Sequence, residues 1–399
     1  MKAIQRLYRN QRGMSMLFVS LGMLGFLGAS TLAIDVGMLM TARTQAQTSA
    51  DSGALAGATA LVYNDFTNRS PNGPAVTSAV NTALTNQVIA QPVSVKPGDV
   101  EFLNDPVTGQ ANMVKVTVYR TVARDNPVPT LMGRLIGINQ ADVQATATAQ
   151  AGWANTQSCV LPFTIPDKWI EEQCGAEPCP FDPSVQPPGP IDTFDIYDSK
   201  GKPLANPDVY VPPTSTTPAP TGYNPVADRG LQVVLKAGTG SQATPSFYNP
   251  WDIGGVTGAS AYSANISGCN TSPLSIGDTM VPENGNMHGP TVSGVTALYN
   301  QDPNARWDPS CQCVKGSDPK FTISPRIRPV PLYDPVVYAN GQQSGKGIQL
   351  KVVGFLGFFI ESVSSNSDVT GYITPVLGKI IIGGPQLTSG FSQVVMLVK

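Results

Sequence analysis

Residues 14–34 (MSMLFVSLGMLGFLGASTLAI) form one apolar run without a charged side chain. At about 1.5 Å per residue, such a run reaches roughly 32 Å as a helix, enough to cross the hydrocarbon core of a bilayer. The pattern then changes character without a break. Gly25, Ala29, Ala33, Gly37 and Thr41 recur every fourth position, and Ala42, Ala46, Ala50, Ala54 and Ala58 do the same beside them. Gly53 and Gly57 add a GxxxG pair. Positions i and i+4 stack on one helix face, and small side chains there let two helix backbones approach closely. The predicted element is one helix over 14–63, a membrane span continued outward as a small-residue rod. Its Gly and Ala columns are expected to dock with other membrane helices.

Downstream, shorter periodicities take over. Residues 75–90 (AVTSAVNTALTNQVIA) put Val76, Val80, Leu84 and Val88 on one face of a predicted helix that Pro92 ends. Short strands are expected at 93–95 and 99–103, with turn residues at Asn104, Asp105, Pro106, Thr108 and Gly109. Residues 113–123 (MVKVTVYRTVA) alternate, 129–136 (PTLMGRLI) reads as a short helix, and 143–151 reads as a strand. Residues 75–152 are thus expected to make a small sheet with helices on one face. From Trp153 the chain reads as mostly β, with strands at 231–236, 324–333, 347–363, 368–373, 379–382 and 393–398 and a helix at 291–299. The apolar segment 347–360 is too short for a second span and contains Lys351, so a buried strand pair is expected. Residues 182–225 are rich in proline, and 194–201 within them look like a hairpin.

The fold class predicted is α+β: an N-terminal transmembrane helix extended as a long helix, a small α/β sandwich, then a mostly β, disulfide-containing domain. The boundaries are a cytoplasmic tail over 1–13, the helix over 14–63, the sandwich over 75–152 and the β domain over 153–399.

Charge gives this arrangement a direction. Lys2, Arg6, Arg9 and Arg12 precede the span, with no acid among them. Cations are retained on the cytoplasmic side, so the N-terminus is expected inside and the bulk of the chain in the periplasm. A cleaved secretory leader would have a shorter apolar core and a small-x-small site, whereas this run is long and offers only poor cleavage sites. Asp35 closes the span and is read as a hydrated interfacial carboxylate, or else as a charge paired with a partner subunit's cation. Only 13% of residues are charged, the net charge is −2, and no Lys/Arg patch with interleaved aromatics occurs, which argues against nucleic acid. With 39 Gly and 36 Pro, a helix bundle is excluded for the exported part.

Arg12-Gly13, the apolar run, Asp35-Val36-Gly37, then Gln45 or Gln47, Ala50-Asp51 and residues 54–58 (ALAGA) follow one another in a distinctive order. This order resembles the N-terminal segment of TadE/TadG-like Flp pilus-assembly proteins, whose pattern is approximately RG, apolar run, DVG and QxAADAAALAGA. The chain departs from it with Thr48-Ser49 and Ser52-Gly53 at usual alanine positions. A stretch similar to residues 129–137 also follows the anchor in TadG-like proteins. The resemblance implies a role in pilus assembly, with the membrane and other pilus-assembly or pseudopilin subunits as partners. Some TadG-like chains carry a von Willebrand factor A domain, but its D-x-S-x-S metal loop does not occur here.

The six cysteines, Cys159, Cys174, Cys179, Cys269, Cys311 and Cys313, all lie in the exported part and are expected to form disulfides. Cys174 and Cys179 could close a small loop. Cys311 and Cys313 stand too near each other for an easy bond and are expected to reach Cys159 and Cys269. Metal ligation is not expected, because zinc sites pair C-x2–4-C with histidine and the chain has a single histidine, His288. Asp192, Asp195 and Asp198 are read as a turn rather than a calcium loop. No GxSxG, HExxH, Walker loop or SxxK occurs, so no catalytic residue, metal or cofactor is assigned. The expected function is non-enzymatic: assembly or structure of a Tad/Flp-type pilus or related secretion apparatus. The alternative is an extracytoplasmic adhesion or glycan-binding protein that uses its Pro-rich loops.

Overall fold

The computed structural model describes residues 11–64, 68–106, 111–172, 193–238, 243–321, 323–381, 384–385 and 387–398. Lys2, Arg6, Arg9, Cys174, Cys179 and Asp192 lie outside the described residues.

One continuous helix of 53 residues, α1 (Gln11–Tyr63), opens the chain. Its lower half is bare: Phe18, Leu24 and Phe26 are all exposed, the last at 73%. Its upper half is buried on one side, where Ala42, Ala46, Ala50, Ala54 and Ala58 are at most 1% exposed. The same helix is thus apolar and exposed over residues 14–34 and packed on one side into the protein's own core beyond residue 41.

That core is supplied by α2 (Pro74–Thr85) and by the antiparallel strands β1 (Val100–Leu103), β2 (Met113–Arg120) and β3 (Val143–Trp153). Both helices lie on one face of the sheet. On β2 the buried valines are Val114, Val116 and Val118, and on β3 every second residue from Val143 to Ala151 is buried. The small alanines of β3 leave room for α1 to lie close.

Helix α2 differs from expectation in two ways. Its buried face is Ala75, Val76, Ala79 and Ala83, while Leu84 is 40% exposed. It also stops at Thr85, because Ile89 and Ala90 adopt positive φ and turn Gln87–Val88 back onto Gln91–Pro92. The alanine face wins because its partner is the narrow Gly and Ala column of α1. The short helix predicted at 129–136 is only a 3-10 turn, Gly133–Ile136. It sits in a loop closed by the pairing of Val128–Pro129 with Gln140–Ala141.

Beyond Trp153 come β4 (Phe163–Pro166), β5 (Gln232–Ala237), β6 (Phe247–Asp252), β7 (Thr279–Pro282), β8 (Ile327–Tyr333), β9 (Leu350–Val363) and β10 (Val369–Thr374). Six of them close into a ring, β8-β4-β6-β5-β10-β9 and back to β8, with β7 bridging β6 and β9. Closure removes free sheet edges. Strand β9 is one strand of 14 residues, not the expected pair. It is apolar on both faces because one face lines the ring with Leu356, Phe358 and Ile360 while the other packs outward with Val352 and Phe355. Helices α3 (Ala259–Ser267), α4 (His288–Tyr299) and α5 (Pro335–Gln343) cover the ring, and Asp334 caps α5 through the amides of Val336 and Val337.

The chain then leaves the barrel. Strands β11 (Val376–Leu377) and β12 (Ser392–Val398) join the first sheet, giving the order β11-β12-β3-β2-β1. Residues 393–398 were expected inside the β domain, yet they pair with Trp153 through Thr148. Their alternation shows a strand but not which sheet it will join. The strand expected at 379–382 is an isolated bridge between Lys379 and Thr156.

Candidate functional site

The family-like residues converge on α1 and the surfaces it touches. A Cβ added at Gly53 would lie 3.1 Å from Ala83 Cβ and 3.4 Å from Val116 Cγ1. One added at Gly57 would lie 2.9 Å from Val114 Cγ1 and 3.1 Å from Ala79 Cβ. The GxxxG pair is therefore occupied by the protein's own α2 and β2. With Ala46, Ala50, Ala54 and Ala58 also buried, the upper column cannot also receive a foreign helix, contrary to expectation. The lower column is different: Gly25, Ala29, Ala33 and Gly37 are exposed, and Gly25 and Gly37 have open space where a side chain would stand.

Asp35 neither faces water nor awaits a partner's cation. It is only 9% exposed. Its Oδ1 accepts the amides of Leu131 at 2.9 Å and Met132 at 3.1 Å, and its Oδ2 accepts that of Gly133. Successive N–H groups pointing at one carboxylate make an anion cradle. Gly133 is required by the close approach, since a Cβ there would lie 2.8 Å from the Ile138 carbonyl oxygen and 3.1 Å from Asp35 Oδ2. The loop is pinned again by Thr130, whose hydroxyl donates to Ile138 O. The two separate family-like stretches, 35–37 and 129–137, are thus two halves of one contact.

The polar motif positions higher on α1 act similarly. Gln45 Oε1 accepts the Ile89 amide at 2.8 Å, at the positive-φ turn after α2. Gln47 donates to Asp51 at 2.8 Å and to the Thr146 carbonyl at 3.1 Å on β3. Ser49, at a usual alanine position, is fully buried and donates to Ala83 O at 2.8 Å. Reading Ser49 as a small-for-small exchange misses that bond. Arg120 was also missed: it is 2% exposed, and its guanidinium donates to the carbonyls of Val88, Gln91, Asn126 and Pro127. Burial pulls its pKa below the ordinary arginine value. Arg12 and Gly13 fall in the first turns of α1. The module meets the barrel through Arg229, which donates to Asn64 O at 2.8 Å and Val62 O at 3.4 Å.

In the barrel domain, Cys159 stands opposite Cys269, with Cα atoms 4.4 Å apart, and Cys311 opposite Cys313, at 5.2 Å. The expected cross-pairing is therefore wrong. Gln312 between the neighbouring cysteines has positive φ, which folds the chain back on itself and brings them within reach.

His288 Nδ1 lies 2.7 Å from Ser367 Oγ and 3.1 Å from Asn366 O. Ser367 is fully buried and shares its hydroxyl with Tyr248, so the pair presents no nucleophile to a substrate. Asp198 accepts the amides of Lys200 and Lys202, as the turn reading requires. Burial pushes Asp167 up to about 6, yet its oxygens are taken by the Lys168 and Tyr223 amides and the Tyr210 hydroxyl. Burial and a carboxyl neighbour, Glu171, push Asp208 up to about 7. Among the described residues no group of three His, Cys, Asp or Glu could hold a metal ion.

Residues 13–60 match the family model of Flp pilus-assembly TadE/G-like proteins, and residues 37–149 match that of Tad-like Flp pilus-assembly proteins. No curated protein and no solved structure matches the chain. Both matched stretches fall on α1, α2 and the sheet they cover, and neither reaches the barrel. The N-terminal region of the chain, from residue 13 to residue 149, is thus similar to the Tad-type Flp pilus-assembly families.

Proposed function

We propose that the chain is a non-enzymatic, single-pass envelope protein that serves the assembly or structure of a Tad-type Flp pilus or a related secretion apparatus. Its N-terminus is cytoplasmic, and its α/β module and barrel are periplasmic. The observation that carries this reading is how the family-like residues are used. Asp35, Gln45, Gln47 and the upper Gly and Ala column bind the membrane helix to the module as one rigid unit, with Asp51 holding Gln47 in place, and none of them addresses a substrate. A rigid mount suits a scaffold whose task is to hold neighbours at a fixed height and angle. Docking to those neighbours falls to the lower column, Gly25, Ala29, Ala33 and Gly37, which none of the described residues covers.

The test is co-purification of the full chain from membranes that contain the pilus-assembly subunits. Changing Gly25→Leu together with Ala29→Leu is expected to cut recovery of partner subunits at least several-fold while the chain stays in the membrane. Unchanged recovery would remove the docking role.

A further inference from the structure

The loop that Asp35 holds has a second property. Leu131 is 59% exposed and Ile138 is 53% exposed, although both are large and apolar. The loop cannot drift, because three of its amides are bonded to Asp35 and Thr130 ties its two arms together. Asp35 is the residue directly after the uncharged run of α1. A bilayer that covers residues 14–34 therefore has its headgroup layer at the height of this loop. The helix itself stays apolar and exposed across that level, with Ile34 at 45%, Val36 at 40% and Met40 at 67%. Arg134, on the same short turn, is exposed as well, and a cation at that depth suits lipid phosphate.

We propose that the loop 129–140 is a second membrane contact, with Leu131 and Ile138 entering the interfacial layer of the leaflet on the Asp35 side. The occupant is the lipid surface, because the patch is continuous with the face that α1 already presents to lipid and ends where that face ends. A single helix fixes a protein's depth but leaves it free to tilt and swivel. A second contact, pinned to the helix by a carboxylate, fixes the tilt of the whole α/β module. Asp35 is then a positioning residue, and its bonds to the amides strengthen where water is scarce. The proposal rests on the membrane-anchor reading of α1.

The experiment uses the full chain in vesicles of phosphatidylethanolamine and phosphatidylglycerol that carry a phosphatidylcholine brominated in the upper acyl chain. Leu131→Trp and Ile138→Trp are compared with Val226→Trp, an exposed position (68%) in the barrel domain, and the parent protein's own quenching is subtracted. The loop tryptophans are expected to lose roughly half of their added emission, the depth that interfacial side chains reach, while Val226→Trp loses almost none. Loop tryptophans no more quenched than Val226→Trp would overturn the contact. Equal strong quenching at all three sites would also overturn it, since the barrel would then lie on the lipid too. A chain washed off the vesicles by alkaline carbonate would refute the anchor itself, a different failure from a retained chain with unquenched loop tryptophans.

Discussion

Two buried acids of this molecule meet in the barrel domain. Glu171 and Asp208 are 7% and 4% exposed. Glu171 accepts the Trp169 indole N–H at 3.0 Å, and Asp208 accepts the amides of Glu172 and Asp195. Burial, and after it the neighbouring Glu171 carboxyl, favour the protonated form of Asp208 and raise it to about 7 from 3.8. Because the folded value is the higher one, the stabilising contribution is complete below about pH 4. It is lost as pH rises through about 7. Glu171→Gln keeps the bond to Trp169 and gives Asp208 a permanent donor. It is expected to raise the melting temperature by about 2–4 °C near pH 8 and by much less near pH 5, read by thermal unfolding across that range. Nothing in the sequence announces this pair, since 36 positions separate its members and no periodicity relates them. Asp35 was visible as the end of the apolar run, but not its cradle, because the donors are backbone amides and carry no side-chain signature.

At the level of elements, the long helix was the most legible part of the chain. Length and lack of charge over 14–34 and four-residue spacing onward from Gly25 all point the same way, and α1 spans Gln11–Tyr63. What spacing could not supply was the identity of the partner. A column of small residues says that some backbone comes close, and here the upper half of the column is met by α2 and β2. The amphipathic rule was half right for α2: Val76 and Val88 are buried, but Leu84 is exposed, and Ala75, Ala79 and Ala83 take the place beside α1 where the two backbones lie so near. Gly57→Leu is therefore expected to wedge α1 away from Val114 and Ala79 and to cost at least about 3 kcal/mol, seen as a lower unfolding midpoint in detergent. Gly25→Leu should leave that midpoint unchanged. Loops of the 129–140 kind escape such analysis because hydrogen bonds rather than burial shape them.

At the scale of the whole molecule, two sheets share one chain in an interleaved order. The first sheet is begun by β1 to β3, set aside while the barrel is made, and completed by β11 and β12. A mostly β character beyond Trp153 was legible from alternation and turn residues. Ring closure and the return of β12 were not, because strand pairing over such separations leaves no local trace. Removing residues 387–399 is expected to strip the pairing of Thr148 to Trp153 and the contact of Val395 with the helical core. Protease sensitivity of α2 and β3 should then rise at least tenfold, measured by limited digestion. The return of β12 also sets a timetable. A polypeptide made N-terminus first presents α1, α2 and β1 to β3 early, yet it must wait for positions 392–398 before that platform can close. Until then β3 keeps a raw border over residues 148–153, open to any passing strand. The last stitch is the one that tells a finished molecule from one still being delivered.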